Sequence, residues 1–267
     1  MPFDYEIGYA LSGGFIKGFA HLGAVQALLE YDIHPDIIAG VSAGALAGAF
    51  LADGNEPYQC LKFFSGHTFR DMTKLSLSSS GIFSLQPFIQ FLRENLKVRR
   101  IEDLQIPLII VATDLDNGRS VLFREGDLAK CLAASCAMPI LFMPEEIDGI
   151  TYADGGILKN LPVSTIRNLC QHVIAVNVSP LQARKYKKNL WNIALRTYHF
   201  MFESNSIPER ELADLLIESY NLYGYSNTEL EKAEEIFTQG YNASKELIKH
   251  NLQAYKQIWT PKQRIIN

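Results

Sequence analysis

"DIIAGVSAGALAGAFLADG", Asp36 to Gly54, decides the fold. Its first part, from about Ile37, is a short apolar run that reads as a buried strand. Its last part is built of small and apolar residues and closes at Gly54, which reads as a helix. Between them, Gly40-Val41-Ser42-Ala43-Gly44 has to turn the chain from strand into helix. A serine held at such a turn shows its hydroxyl at the carboxyl end of a sheet. Glycines two residues to either side let the backbone turn without a side-chain clash. Ser42 is therefore a candidate nucleophile, with Gly40 and Gly44 forming its elbow. The competing reading is a tight turn in which the two glycines serve packing alone.

Working outward, Tyr5 to Leu11 reads as a buried strand that ends in the glycine-rich turn "SGGFIKG". From Gly18 to Glu30, Phe19, Leu22, Val25 and Leu29 recur at helical spacing. The opening is thus β-α-β-α, which implies a parallel sheet with helices on its faces. After a less regular middle, "IPLIIVATDL" is an apolar strand, and Asn117-Gly118 turns it into a hairpin partner, "RSVLF". "DLAKCLAASCAM" is a helix capped by Asp127 and stopped before Pro139, and Asp148-Gly149 makes a second hairpin turn leading into "YADGG". "HVIAVNV", after Gln171, is a further buried strand. Beyond Pro180 the chain reads as mostly helical, with "NLWNIALRTYHFMFES" and "NTELEKAEEIFTQGYNASKELIKH" the clearest helices. No linker divides the 267 residues. The expectation is one domain over 1–267: a three-layer α/β/α core from about 5 to 180 around a mostly parallel sheet, then a helical C-terminal region from about 181 to 267.

Composition narrows the function. A 48% hydrophobic chain of this length can bury a sizeable core, and a formal charge of −4 leaves no electrostatic footprint for nucleic acid. Asp4 and Glu6 stand where a signal peptide would be basic, and no run reaches the roughly 18 apolar residues of a membrane span. The expected setting is the cytoplasm. Cys60, Cys131, Cys136 and Cys170 form no C-x-x-C pair and read as buried small hydrophobes.

A nucleophilic serine needs donors for the oxygen that becomes negative in the transition state. "SGGFIKG" leaves the first strand and opens the first helix, so its backbone N–H groups collect at a helix N-terminus beside the elbow. Gly13, Gly14, Phe15, Lys17 and Gly18 are the candidate oxyanion loop. A phosphate-gripping loop is the rival reading, but the next strand ends in Gly40-Val41-Ser42 rather than in an acid, and the Walker spacing is missing.

The base is harder to find. His172 lies at the start of its strand while the elbow lies at the end of a parallel one, which puts it on the wrong edge of the sheet. His199 sits in an aromatic helical stretch, and His21 precedes Ser42 and reads as packing or capping. His34, His67 and His250 have loop or surface settings. The other candidate is Asp154, followed by Gly155-Gly156, which permit a bend able to bring its carboxylate to the hydroxyl. An ordinary carboxylate, with a pKa near ~4, is a weak base, so the site would have to desolvate it. A bare D-G-G tripeptide is also a common turn.

Taken together, "SGGFIKGFAHLGAVQAL", "GVSAG" and "ADGGILKNLP", in this order and spacing, resemble the bacterial patatin-like phospholipase family. "IPLIIVATDLDNGRSVLFREGDL" and "SCAMPILFMPEEIDGITYADGG" match as well, so the resemblance covers roughly Tyr5 to Pro180. It implies a serine acyl hydrolase with a Ser-Asp dyad that needs no histidine, metal or other cofactor. By position Ser42 matches the nucleophile, Asp154 the base, and the Gly13 to Gly18 loop, with Lys17 as its basic residue, the oxyanion hole. One residue departs from the family pattern: Phe15 stands where a further glycine is usual, and Ile16 follows where a small residue is common. A positive φ there would strain the phenylalanine.

The expected substrate is a fatty-acyl ester of a phospholipid or related acyl lipid, met at a transient membrane contact. Acyl transfer by the same dyad, and a catalytically weak lipid-binding or regulatory protein with Phe15 spoiling the hole, are the two rival readings. "MPILFMP", Met138 to Pro144, is read either as acyl-channel lining or as core. "ARKYKK", Ala183 to Lys188, is either a head-group contact or a solvated helix start. The serine-rich stretch from Leu75 is a surface loop or a lid.

Overall fold

The computed structural model describes residues 3–64, 67–76, 80–183, 186–222, 225 and 229–256. Residues 77–79 of the serine-rich run, Arg184 and Lys185 of the basic stretch, and 226–228 at the start of the expected last helix lie outside the described residues.

The chain opens as its pattern predicts: β1 (Tyr5–Leu11), a short 3-10 turn (Phe15–Gly18), α1 (Phe19–Leu29), β2 (Ile37–Val41) and α2 (Ala43–Ala52). The middle adds α3 (Pro57–Phe63), a two-residue ribbon of β3 (Lys74–Leu75) and β4 (Phe83–Ser84), and α4 (Gln86–Asn95). Then come β5 (Leu108–Asp114), β6 (Arg119–Phe123), α5 (Leu128–Cys136), β7 (Glu145–Ile147), β8 (Ile150–Asp154) and β9 (Cys170–Asn177). The last part holds α6 (Leu190–Arg210), β10 (Leu215–Glu218) and α7 (Ala233–Lys256). Both expected hairpins form, and the Asp127 carboxylate caps α5 by accepting from the Lys130 N–H at 2.9 Å.

The main sheet runs β10-β9-β1-β2-β5-β8-β7, with β6 on the other edge of β5. β10, β9, β1, β2 and β5 are mutually parallel, whereas β6, β7 and β8 pair antiparallel. Side chains alternate between the faces. Leu11, Ile38, Ile110 and Val176 join the larger core with α1, α2, α4 and α5, while Ala10, Ala39, Ile109 and Ala175 face a second core closed by Leu161, Val163 and Ile166. The protein is thus a mixed α/β fold with a mostly parallel sheet covered on both faces. The second cover is the irregular chain from 157 to 169 with part of α6, rather than a set of regular helices.

The region past Pro180 departs from its helical reading at one point. "LLIE" is a strand that extends the sheet beside β9, with Leu216 opposite Ala175. Four residues between long helical patterns carry too little periodicity to declare themselves. α7 packs on α1 at glycines: an added Cβ on Gly23 would lie 1.9 Å from the Phe237 carbonyl, and one on Gly240 2.1 Å from the Ala20 carbonyl. This crossing, with the sheet on its other side, buries nine of the eleven residues of α1. Among the described residues no helix is long and apolar enough to cross a membrane.

Candidate active site

Strand register brings the two ends of the site together. β2 pairs with β5 as far as Val41 opposite Val111, and β8 takes up the same edge of β5 one residue on, with Asp154 opposite Ala112. β6 occupies the other edge of both positions. Because β2 runs parallel to β5 and β8 antiparallel, their carboxyl ends meet head to head. Ser42 and Asp154 are the residues at that junction.

The elbow is strained. Ser42 has φ 51° and ψ −119°, a conformation an ordinary side chain adopts only when its surroundings enforce it. They do so by contact. A Cβ on Gly44 would lie 2.3 Å from the Leu11 carbonyl, and one on Gly40 2.5 Å from the backbone of Ala45, so α2 starts closer to the sheet than any other residue type permits. Ser135 supplies the second restraint. The Ser42 N–H donates to Ser135 Oγ at 2.8 Å, and the Ser135 hydroxyl donates to the Val111 carbonyl at 2.6 Å, rebuilding by side chain the ladder bond that the turn removes.

Asp154 is buried, with 3% exposure. Its Oδ1 accepts from the Gly156 N–H at 2.8 Å, and the Thr113 hydroxyl donates to its carbonyl at 2.9 Å. Burial pushes its pKa up to about 6, against the opposing pull of the Gly156 N–H and the Ser42 hydroxyl, which both stabilise the carboxylate. Ser42 also hydrogen-bonds Cys136, whose thiol is held well above its ordinary range by burial and then by the Asp154 charge. Gly155 lies flat on β5, where a Cβ would be 2.3 Å from the Val111 carbonyl.

In the glycine loop, Gly13 is held by Asn160. Its N–H already donates to the Asn160 carbonyl at 3.1 Å, and its missing Cβ admits Asn160 Oδ1. Phe15 has φ 53°, so the position does require the left-handed region. Lys17 is buried and Gly18 packs on Ala43 at the start of α2.

The histidines fall as the strand order predicts. His172 pairs with Ile7 at the amino-terminal end of β9, far along the strand from the junction. His199 Nε2 bonds the Ser179 carbonyl at 3.0 Å. His21 is fully buried, its Nε2–H donating to the Ser12 carbonyl at 2.7 Å, and burial lowers its pKa to about 4, so it is neutral at neutral pH. All four cysteines are free.

Three residues of the site had no role in the sequence reading: Ser135, Asn160 and Asn205. The first two lie inside the stretches that carry the family resemblance, "SCAMP" and "KNLP". Asn205 lies outside them on α6, where it accepts from the Asn160 N–H at 2.7 Å and donates to the Gly156 carbonyl at 2.8 Å.

A cavity of ≈ 170 Å³ opens on Ser42 and is walled by Phe15, Phe19, Leu46, Phe50, Phe64 and Phe142 among others. Phe142 brings part of "MPILFMP" into this wall, while Ile140 of the same stretch is half exposed at φ 74°. A smaller cavity on the other side of Phe15 is bordered by Lys17, Ser179, Tyr198 and His199. Among the described residues no group of histidine, cysteine and carboxylate side chains could hold a metal ion.

Fold and site define a class: an α/β protein whose strained strand-to-helix serine faces a buried carboxylate and an apolar cavity. The chain belongs to the patatin-like phospholipase family, whose pattern its residues 9–166 match. An uncharacterised NTE family protein of Mycobacterium bovis is 35% identical over 206 residues, covering 75% of this chain and 57% of that protein. Lysophospholipase NTE1 of Saccharomyces cerevisiae is 30% identical over 185 residues, 67% of this chain and 11% of the yeast protein. The chain therefore spans little more than half of one relative and a small part of the other. In fold it is similar to VipD from Legionella pneumophila, with a TM-score of 0.59 at 16% identity over 92% of this chain and 67% of that one.

Proposed function

We propose that the protein is a serine-dependent lipid acyl hydrolase that cleaves fatty-acyl esters of phospholipids or related lipids, with Ser42 as nucleophile and Asp154 as its base. The observation that carries this reading is the meeting of Ser42 with a desolvated carboxylate at the mouth of an apolar cavity. Ser42 Oγ attacks the ester carbonyl while Asp154 takes its proton. The carbonyl oxygen becomes negative and is held by N–H groups at the start of the 3-10 turn, those of Gly14 and Phe15, since the Gly13 N–H is engaged. Asp154 returns the proton to the departing alkoxide, leaving an acyl-enzyme. Water then attacks, giving its proton to Asp154, and the fatty acid leaves as Ser42 recovers a proton.

A pKa raised to about 6 suits this role, because the group is ionised at neutral pH yet more basic than an exposed aspartate. The phenylalanine-lined cavity takes the acyl chain. The cytoplasm suits the four free cysteines.

The test is release of fatty acid from a monoacyl phospholipid by the wild type, Ser42→Ala, Asp154→Asn and His172→Ala. The expected result is a loss of about 10³-fold or more in kcat for the first two and wild-type turnover for the third. Loss of turnover in His172→Ala with the fold intact would restore a histidine base.

A further inference from the structure

Helix α6 presents two unlike faces. Inward, Arg196, Phe202, Ser206 and Glu209 are buried, and Asn205 is bonded to the loop that carries Asp154. Outward, Leu190, Ile193, Thr197, Phe200, Ser204 and Ile207 follow at steps of three and four along one exposed line. Leu190 is 87% exposed and Ile207 53%. A solvent-facing helix surface ordinarily carries charge, and no residue of this line does, although the buried Arg196 guanidinium, bonded to the Gln182 carbonyl, lies over the Phe200 ring at 4.8 Å. The acids on the flanks are already matched: Glu203 pairs with Arg210 and Glu209 with Lys159. Immediately before the helix stand exposed Tyr186, Lys187 and Lys188.

We propose that this outer face of α6, with Lys187 and Lys188 at its head, docks the protein on an anionic lipid surface. Apolar side chains in one row with cations at the end match the two layers of such a surface, acyl boundary and phosphate. The charges favour this occupant over a second copy of the chain, whose own uncharged face would leave the lysines unmatched. Docking here holds the helix that clasps Gly156 and Asn160 against the membrane, so lipid is delivered beside the site. That purpose rests on the lipid hydrolase reading, but binding itself does not depend on turnover.

The experiment is flotation of full-length Ser42→Ala with vesicles of phosphatidylcholine alone or mixed with phosphatidylserine. Two further proteins carry Ile193→Asp with Phe200→Asp, or Lys187→Glu with Lys188→Glu, each added to Ser42→Ala. The expected result is salt-sensitive binding to the anionic vesicles that falls on the order of tenfold or more in either double variant, with melting temperatures unchanged. Equal binding by all three proteins, or none by Ser42→Ala, overturns the proposal. So does a dimer in sedimentation equilibrium that Ile193→Asp with Phe200→Asp dissolves, which would assign the face to a second copy. If Ser42→Ala floats and the wild type releases no fatty acid, docking stands and the hydrolase reading fails. Turnover without flotation means the reverse: the hydrolase reading stands and docking fails.

Discussion

Phe15 sits at φ 53°, where a residue with a Cβ is strained by about 1–2 kcal/mol, yet it borders both the cavity that opens on Ser42 and the smaller one beside Lys17 and His199. A glycine would take this backbone without strain, so here the side chain is kept at a conformational cost. It follows that Phe15→Gly should be more stable than Phe15→Ala, by about 1 kcal/mol in urea unfolding, because alanine keeps the strain and loses the ring. The reverse order would show that the position does not need its left-handed backbone. Asp154 carries the second residue-level consequence. Its carboxyl is protonated in the folded state up to about pH 6 but ionises from 3.8 when unfolded, so the folded state binds the extra proton between these values and stability falls as pH rises through them. Above pH 6 the full cost of ionising the buried group, about 3 kcal/mol, is present. Asp154→Asn should therefore melt several degrees higher than the wild type at pH 8, with the gain shrinking steeply by pH 4. In the wild type kcat/KM should rise with pH through about 6, as the base ionises. A flat profile between pH 5 and 7 would remove Asp154 from the reaction.

Among elements, the legible ones were those whose pattern is long or bounded by punctuation. β1, β2, β5, β9, α1, α2 and α5 follow from apolar runs, helical spacing, the Asp127 cap and the closing Gly54. What the pattern lacks is pairing. Nothing in "YADGG" says that β8 runs antiparallel along the edge of β5 that β2 has just left, and this register is what sets Asp154 opposite Ala112 beside the elbow. Ser135 was hidden for the same reason, since its bond to the Ser42 amide joins residues 93 positions apart. β10 was lost to its brevity. The contact of α7 with α1 is also non-local, and it makes a sharp prediction. Gly240→Val places a side chain 2.1 Å from the Ala20 carbonyl, so it should destabilise the protein by about 3 kcal/mol or more in urea unfolding. Asn242→Ala, at an exposed position of the same helix, should stay within about 0.5 kcal/mol of the wild type. Equal stability of the two variants would mean that the helices do not meet at these glycines.

In the whole molecule, a parallel sheet brings its chemistry to the carboxyl ends of its strands, and α6 and the glycine loop close over that end. The candidate site draws on β2, β8, the turn before α1 and α5, four places that only the complete sheet assembles. The phenylalanine-lined cavity opens at this end on Ser42, and inward residues of α6 border the smaller cavity beside it. Everything at this scale turns on Ser42 being an activated nucleophile with Asp154 as its base. The most direct test is intact-mass detection of covalent labelling by a lipid-like fluorophosphonate on the wild type, Ser42→Ala and Asp154→Asn. The expected result is one adduct on the wild type, none on Ser42→Ala and strongly slowed labelling of Asp154→Asn. A folded wild type that stays unlabelled, or an adduct that persists in Ser42→Ala, would contradict it.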